Sequence, residues 1–577
     1  MKIQQPSSLS REPFRFCFAG LALLLGLLMP ILSRHYAVTW DEWMDTNYGF
    51  LVFKYILSLG KDTSYTTFWH GYLYSAFFFV LTHSLNALAS GDIFHYVADF
   101  SRTDHFLSYF QISHLTNSLF GFYLFFFTGL AAKEVKGWRA AFLALLLIAI
   151  SPRFFGQSMN NPKDIPFAAT YMFTLYLMIR FFKQMPRPDV KTMVFLMIAI
   201  GMTMGTRVGG VILISYLFLF GMLFYALRRW HRKDPFPLIP WVGRLLLVAI
   251  AGYLVGLFFW PYGQINPFLN IFRALAKLSD FRFETGTIIF KGHYYPITQL
   301  PWDYLPVWIF ITTPTVVLTG WFLFYLFLPV YKAEPQRKFM ALLAFAGLFP
   351  MAVVILKHSV LYNDWRHMYF IYGPLVVFAA LGWDHLLEIQ KLKKFRAGFY
   401  LLLVLMAGFP VTWMVRNHPY QSLYFNGWVG GLKGAAGNFE IDYWSNTIRT
   451  GAEKLAEYHL RHFPDRPAYV RADGQIMSTY GILREKMGSR YFPYLYPDGF
   501  IQTGNVRYMN IRYNEETLDA DDWDYAILLL NGQSRQDFRD GKWPPPNALF
   551  EVKVDGVPVC VITKNPRSPL FREQSLS

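Results

Sequence analysis

Apolar runs recur along the first 415 residues and then stop, lying near 16–33, 109–132, 138–152, 165–182, 191–206, 208–227, 241–260, 304–330, 339–356, 367–387 and 397–415. Most are long enough to cross a hydrocarbon core, which takes about 20 residues of helix. The pattern predicts a polytopic α-helical membrane protein with eleven transmembrane helices. Every second gap between the later runs carries a basic cluster: Lys133, Lys136 and Arg139; Lys183, Arg187 and Lys191; Arg228, Arg229, Arg232 and Lys233; Lys332, Arg337 and Lys338; Lys391, Lys393, Lys394 and Arg396. By the positive-inside rule these gaps face the cytoplasm, as does the N-terminus with Lys2, Arg11 and Arg15. The N-terminus is then inside and the C-terminus outside. Residues 71–88 ("GYLYSAFFFVLTHSLNAL") approach the length of a twelfth span, but a crossing there would turn all five later clusters outward. They read instead as an interfacial helix within one outer loop, 34–108.

The first run resembles a signal peptide, but no small-residue cleavage site follows it, so it reads as an uncleaved anchor. After residue 415 charges of both signs become frequent. Strand-like pieces ("PAYVRAD", "WDYAILLL") alternate with a helical pattern near 475–487. "FEVKVDGVPVCVITK" reads as a hairpin turning at Asp555-Gly556, a pair suited to a type I′ turn. The expected organisation is a transmembrane catalytic domain, 1–415, followed by an extracytoplasmic α/β domain, 416–577.

Composition agrees with this picture: of 577 residues 54% are hydrophobic, 19% aromatic and only 16% charged. The net charge of +16 sits in short clusters between spans rather than along one face, which excludes nucleic acid as the partner it serves. Only Cys17 and Cys560 occur, so neither a disulfide framework nor a thiolate metal site is available. No internal repeat is visible.

Polar residues at the outer helix ends form five groups. Asp41, Glu42 and Asp45 stand among Trp40, Trp43 and Tyr48 just beyond the first span. "SPRFFGQSMNNPKDIPF" supplies Arg153, Asn160, Asn161, Lys163 and Asp164, with Pro162 and Pro166 breaking or starting helix. In "GMTMGTRVGG", Arg207 is the only charge in a long apolar stretch. "KHSVLYNDWRHMYFIYGP" carries Lys357, His358, Asp364, Arg366 and His367. The loop 261–303 holds Arg273, Lys277, Arg282, Lys291 and His293. Charges beside a bilayer are costly and usually have a partner or a task. Transfer of a sugar from a lipid phosphate would use this mixture. A carboxylate takes the proton of the attacking hydroxyl, cations hold the departing phosphate, and aromatic faces stack on the sugar.

"WDEW" after the first span, "SPRFFGQSMNNPKDIPF" after the third, "GTRVGG" closing the fifth and "WRHMYFIYGP" opening the tenth resemble the GT-C superfamily of membrane glycosyltransferases. The resemblance is to its family 39 branch, the protein O-mannosyltransferases and lipid A aminoarabinose transferases, and covers roughly 16–415. It implies that the family's first-loop acidic pair falls on Asp41, the catalytic base, and Glu42, which orients it or contacts the acceptor. It places Arg207 and Arg366 on the donor phosphate, with Lys163, Arg153 and His367 assisting. The chain reads Arg366-His367-Met368-Tyr369 where the family has Arg-Tyr, and it lacks the family's His-Pro-Pro element, offering only His70 in "FWHGYLY".

Some members of the superfamily hold a divalent cation. Asp41 and Asp164 could do so here with oxygen ligands, and the residues leave metal dependence open. The resulting expectation is an inverting enzyme of the cell inner membrane with its active site facing the periplasm or exterior. Its co-substrate would be a polyprenyl-phosphate sugar and its acceptor a hydroxyl of a lipid, glycan or protein. The alternatives are a flippase or transporter for a lipid-linked glycan, and a glycan polymerase or ligase using a diphosphate-linked donor. "HPYQSLYFNGWVGGLKGAAGNFEIDYWSNT", residues 418–447, resembles a segment of bacterial family 39-like proteins and has the aromatic and glycine content of a loop folded over the catalytic face.

Overall fold

The computed structural model describes residues 12–68, 70–91, 106–230, 236–279, 286–331, 337–473, 476–488, 506–509, 523–531 and 533–572. Lys2, Arg11, Arg232, Lys233, Arg282 and Lys332 of the basic groups, and 92–105 of the outer loop, lie outside these residues.

Among the described residues eight helices are long and apolar enough to cross a membrane, from Pro13–His35 to Gln390–Arg416. Two further apolar segments are bent pairs. Trp138–Ala149 and Pro152–Asn160 meet at 70°, where Pro152 opens the second helix at its first position, a place that needs no N–H donor. Tyr304–Thr312 and Thr315–Leu326 meet at 115°, on either side of Pro314. The remaining apolar run forms Val190–Thr206, a helix of 17 residues whose first turn is capped by Asp189. Every run read from the sequence is therefore helical, and the protein is a polytopic helical membrane protein.

Asp164–Lys183 is the axis of the bundle, with 89% of its apolar window buried, whereas only 11% of that of Gln390–Arg416 is covered. Small residues let Val190–Thr206 and Leu238–Phe258 approach closely: a Cβ added at Gly201 would lie 2.3 Å from Val255, and one at Gly256 would lie 2.7 Å from Met204.

The two ends of the bundle differ. At one end Lys183 donates to Glu134 (2.7 Å), Arg139 to Asp384 (2.7 Å) and Arg228 to the Met185 carbonyl (2.9 Å). The other end holds the acidic groups. There the helices Glu42–Leu57 and Phe77–Ser90 pack together, the His83 ring bonding the Thr46 carbonyl at 2.8 Å. The Ala76 N–H donates to the Phe259 carbonyl at 3.0 Å, which ties this pair to the end of Leu238–Phe258. A short antiparallel hairpin, β1 (Thr287–Phe290) and β2 (His293–Pro296), lies near the same end, bridging to Phe439.

The C-terminal domain packs onto this second end. Its five strands are β3 (Val470–Asp473), β4 (Val506–Met509), β5 (Tyr525–Leu529), β6 (Ala548–Val554) and β7 (Val557–Lys564), in the order β4-β3-β5-β7-β6. β3 runs parallel to both neighbours, β7 antiparallel to β5 and β6. Helices Ile448–His462 and Ile476–Met487 complete the α/β unit. The β6–β7 turn has Asp555 and Gly556 both at positive φ (50° and 76°), as a type I′ turn requires.

Candidate functional site

A cavity of about 120 Å³ opens at the acidic end of the bundle, lined by Asp41, Asp45 and Lys163 and rimmed by the aromatic rings of Trp40, Tyr74 and Tyr362. His70 and Thr206 also line it. Asp41 occupies the N-terminal boundary of helix Glu42–Leu57 but makes no side-chain capping bond there. Its carboxylate accepts from Arg366 at 3.0 Å instead. Arg366 begins the tenth apolar run, and its guanidinium lies over the Tyr362 ring at 5.0 Å and the Trp444 ring at 4.8 Å.

Arg207 terminates Val190–Thr206. The chain then turns back so tightly that a Cβ at Gly210 would stand 2.8 Å from the Met204 nitrogen, which only glycine avoids; Gly209 has open space around it. Arg207 pairs with Asp164, the first residue of Asp164–Lys183. Arg366 approaches the same carboxylate at 3.9 Å. Lys163 pairs with Asp45 at 3.0 Å and lies 4.6 Å over the Tyr74 ring. Asp41, Asp45 and Asp164 are thus interleaved with Lys163, Arg207 and Arg366, three charges against three. The balance lowers the cost of holding the cluster at a bilayer edge.

Burial alone would push the Asp41 carboxyl up, but Arg366, Lys163 and Arg207 outweigh it and hold the group below the ordinary carboxylate range. Asp45 moves the other way, raised by burial and by Asp41 against the opposing Lys163. Burial disfavours the Lys163 ammonium, yet Asp45 and Asp41 raise its pKa overall. The resting cluster therefore holds an ionised Asp41 beside fixed cations. Two of those cations keep a buried donor in reserve: Nε of Arg207 and Nε of Arg366 have no hydrogen-bond acceptor among the described residues.

Three residues expected here stand away from the cavity. Glu42 is fully buried, accepting from the Thr39 N–H at 2.8 Å and bonding His114 at 3.2 Å; it closes the turn beneath Asp41 and does not reach the cavity. Arg153 lies deeper in the bundle, on the carboxylate of Asp364 at 2.7 Å and 5.1 Å over the Phe425 ring. Helix Pro152–Asn160 is buried all round and turns Arg153 inward. His367 sits next to Arg366 with its ring edge-on to Tyr362 at 4.7 Å and does not line the cavity. Of the 261–303 cations, Lys277 bonds Tyr72 and Lys291 pairs with Asp303, both away from the cavity.

Asp45 is what sequence reasoning undervalued. Asp41 and Asp45 are four residues apart on one helical face, whereas Glu42 is turned about 100° away by the helical repeat of 3.6 residues. The Asp41–Asp164 pair does not fit a divalent cation, because the Arg366 guanidinium stands between the two acids. Among the described residues no three His, Cys, Asp or Glu side chains converge as a metal site.

Fold and site define a multi-pass membrane protein with a charged, aromatic-rimmed cavity at the bundle end that carries its α/β domain. Residues 110–255 match the family model of the dolichyl-phosphate-mannose-protein mannosyltransferases, a stretch that contains Lys163, Asp164 and Arg207. That match meets, over this stretch, the resemblance to GT-C membrane glycosyltransferases carried by the motifs. No curated protein matches the chain. Among solved structures it is similar to ArnT from Cupriavidus metallidurans bound to undecaprenyl phosphate, with 14% identity, 96% of this chain and 98% of that one covered and a TM-score of 0.45. It is also similar to the Archaeoglobus fulgidus oligosaccharyltransferase, with 13% identity, 89% and 69% covered and a TM-score of 0.44.

Proposed function

We propose that the protein is an inverting glycosyltransferase that moves a sugar from a polyprenyl-phosphate donor to an acceptor hydroxyl at the extracytoplasmic face of the cell inner membrane. The observation that carries this reading is the cavity itself: an ionised carboxylate, Asp41, faces it beside three cations that belong to three different parts of the chain.

The acceptor oxygen attacks the anomeric carbon from the face opposite the phosphate, and Asp41 takes its proton. The bond from that carbon to the phosphate oxygen breaks, and its electron pair leaves with the lipid phosphate. The dianionic charge that develops there is met by Arg366, Arg207 and Lys163, fixed before the reaction and needing little reorganisation. A phosphate leaves without prior protonation, so one carboxylate suffices. Trp40, Tyr74 and Tyr362 offer ring faces for the sugar. Asp45 and Asp164 pair with Lys163 and Arg207 and yield them as the phosphate enters. No step is assigned to Glu42, Arg153 or a metal ion. Acceptor and sugar identity belong to groups that bind this cavity, and the family match over 110–255 supports the mannosyltransferase class most directly.

The test is transfer by the purified full chain from synthetic polyprenyl-phosphate hexoses and pentoses. Product of inverted anomeric configuration together with free polyprenyl monophosphate is expected. Release of a lipid diphosphate, or movement of the intact lipid-linked sugar across a vesicle membrane with no transfer, would replace the reading.

A further inference from the structure

The two partners of the Asp41–Arg366 pair come together across 325 positions of the sequence, and both are gripped by one short piece of the C-terminal region. At Arg366 the grip is a stack: the guanidinium lies between the rings of Tyr362 and Trp444. At Asp41 it is a set of hydrogen bonds to the chain leading into it. Nη1 of Arg449 donates to the carbonyls of Arg34 (2.9 Å) and Tyr36 (3.0 Å). Asn160 donates to the Ala37 carbonyl at 2.8 Å and is itself bonded to Asn446 at 2.6 Å. The Ser478 hydroxyl donates to the Val38 carbonyl at 3.0 Å. Four backbone acceptors between 34 and 38 are thus claimed by side chains, three of them by residues of the C-terminal domain.

Trp444 and Arg449 lie five residues apart on a turn that is itself tightly specified. Asp442 and Ser445 adopt left-handed φ values of 56° and 59°, a conformation that strains a non-glycine residue and persists only when the surroundings enforce it. The enforcement is visible. The Asp442 carboxylate accepts from the Asn446 N–H (2.7 Å), the Thr447 N–H (2.9 Å) and the Thr447 hydroxyl (2.5 Å). Thr447 then starts the helix Ile448–His462, whose first turn carries Arg449.

We propose that the 442–449 turn is a two-sided brace that sets the alignment of Asp41 with Arg366, so that Trp444 and Arg449 are positioning residues for the transfer reaction. It rests on the reading of Asp41 as base and Arg366 as phosphate contact. Neither brace residue touches the reacting atoms. Arg449 fixes the 34–38 segment that leads to the base; Trp444 fixes the plane of the guanidinium. The C-terminal domain is then an integral part of the active site, and its docking determines whether the site is assembled.

The two sides separate kinetically. Arg449→Ala releases the 34–38 segment and is expected to lower kcat by about 10-fold or more with affinity for polyprenyl phosphate unchanged, since displacing a reacting group by about 1 Å costs up to about 100-fold. Trp444→Ala is expected to lower kcat and to weaken polyprenyl phosphate binding as well, and Trp444→Phe, which keeps a ring face, to restore both. A turn that served folding alone would change the yield of folded protein and leave kcat and affinity per molecule at their original values in all three variants, which overturns the proposal. Amide hydrogen exchange on the full chain reads the brace independently of turnover: Arg449→Ala speeds exchange across 34–45 and Trp444→Ala across 363–369. Unchanged exchange in both segments overturns the brace even if the enzyme is active. An inactive original chain whose variants still show faster exchange keeps the brace and sinks the glycosyltransferase reading instead.

Discussion

Two clusters of acid and base lie at the same end of the bundle, built from the same residue types, and they differ in how much space opens beside them. In the cavity cluster each ion pair has a partner that reaches solvent: the side chains of Asp41, Arg207 and Lys163 are 24%, 20% and 17% exposed. In the second cluster Arg153 and Asp364 are 4% and 0% exposed. Tyr369 (2.8 Å) and Tyr443 (3.1 Å) both donate to the Asp364 carboxylate, and Tyr304 donates to its carbonyl at 3.1 Å. Each cluster keeps unpartnered atoms, Nε of Arg153 and Oδ1 of Asp364 included, but beside the second there is a cavity of only about 10 Å³, lined by Arg153, Glu440 and Tyr443, against about 120 Å³ beside the first. Access, more than charge, distinguishes the two, and on the proposed function it separates a phosphate cradle from a structural lock.

The widest separation is expected from Asp41→Asn. Loss of the base lowers turnover by about 10³- to 10⁴-fold while the melting temperature stays within a few degrees, since a general base contributes up to about 10⁴-fold. The measurement is single-turnover transfer alongside a thermal melt of the same preparation. Normal turnover by this variant would erase the distinction between the two clusters.

Arg153→Met is the mirror experiment. It strands the Asp364 carboxylate, and breaking a buried pair costs about 3 kcal/mol or more. The burial that already raises the Asp364 pKa would then be opposed by one charge fewer. Stability should fall sharply in a denaturant titration, with kcat of the remaining folded protein close to the original value. A variant that folds normally but loses donor affinity would return Arg153 to the phosphate site, as the sequence first suggested.

A smaller effect follows from exchanging the cations conservatively. Arg366→Lys and Arg207→Lys each keep the charge but lose the planar fork that meets a carboxylate and a phosphate together. Transfer should drop by about 10- to 100-fold, mostly in kcat. Equal turnover in both would mean that charge alone serves the phosphate.

The sequence carried the architecture further than the site. Eleven apolar runs became helices because hydrophobic length and Pro positions are local properties, and the order of Asp41, Arg207 and Arg366 along the chain was legible as acids and cations at helix ends. Pairing was not legible. Arg153 meets Asp364 across 211 positions and Lys163 meets Asp45 across 118, contacts that no local pattern encodes. The burial of Glu42 was partly legible: it lies about 100° around the helix from Asp41, whereas the i, i+4 neighbour of Asp41 is Asp45, which shares its face. The 418–447 segment was legible as an aromatic, glycine-rich loop suited to folding over the outer face; the contact of Trp444 with Arg366, and that of Arg449 just beyond it with Arg34 and Tyr36, exist only in the folded chain.

The finest prediction concerns Glu440, which lies against the closed cluster. Burial first, and the neighbouring Asp364 second, push its carboxyl up to about 8, with backbone N–H groups of Asn363 and Asp364 and the Arg366 charge opposing. In the unfolded chain the same group ionises near 4.5. Between these values the folded state binds more protons than the unfolded one, so folding stability declines as pH rises from about 4.5 to 8. Glu440→Gln cannot ionise and removes that decline. Relative to the original protein the variant should gain thermal stability at pH 8 and show least gain near pH 5, as read from melts in detergent across this range. A gain that does not depend on pH would mean that Glu440 is already ionised in the fold, and the second cluster would then be open to water like the first.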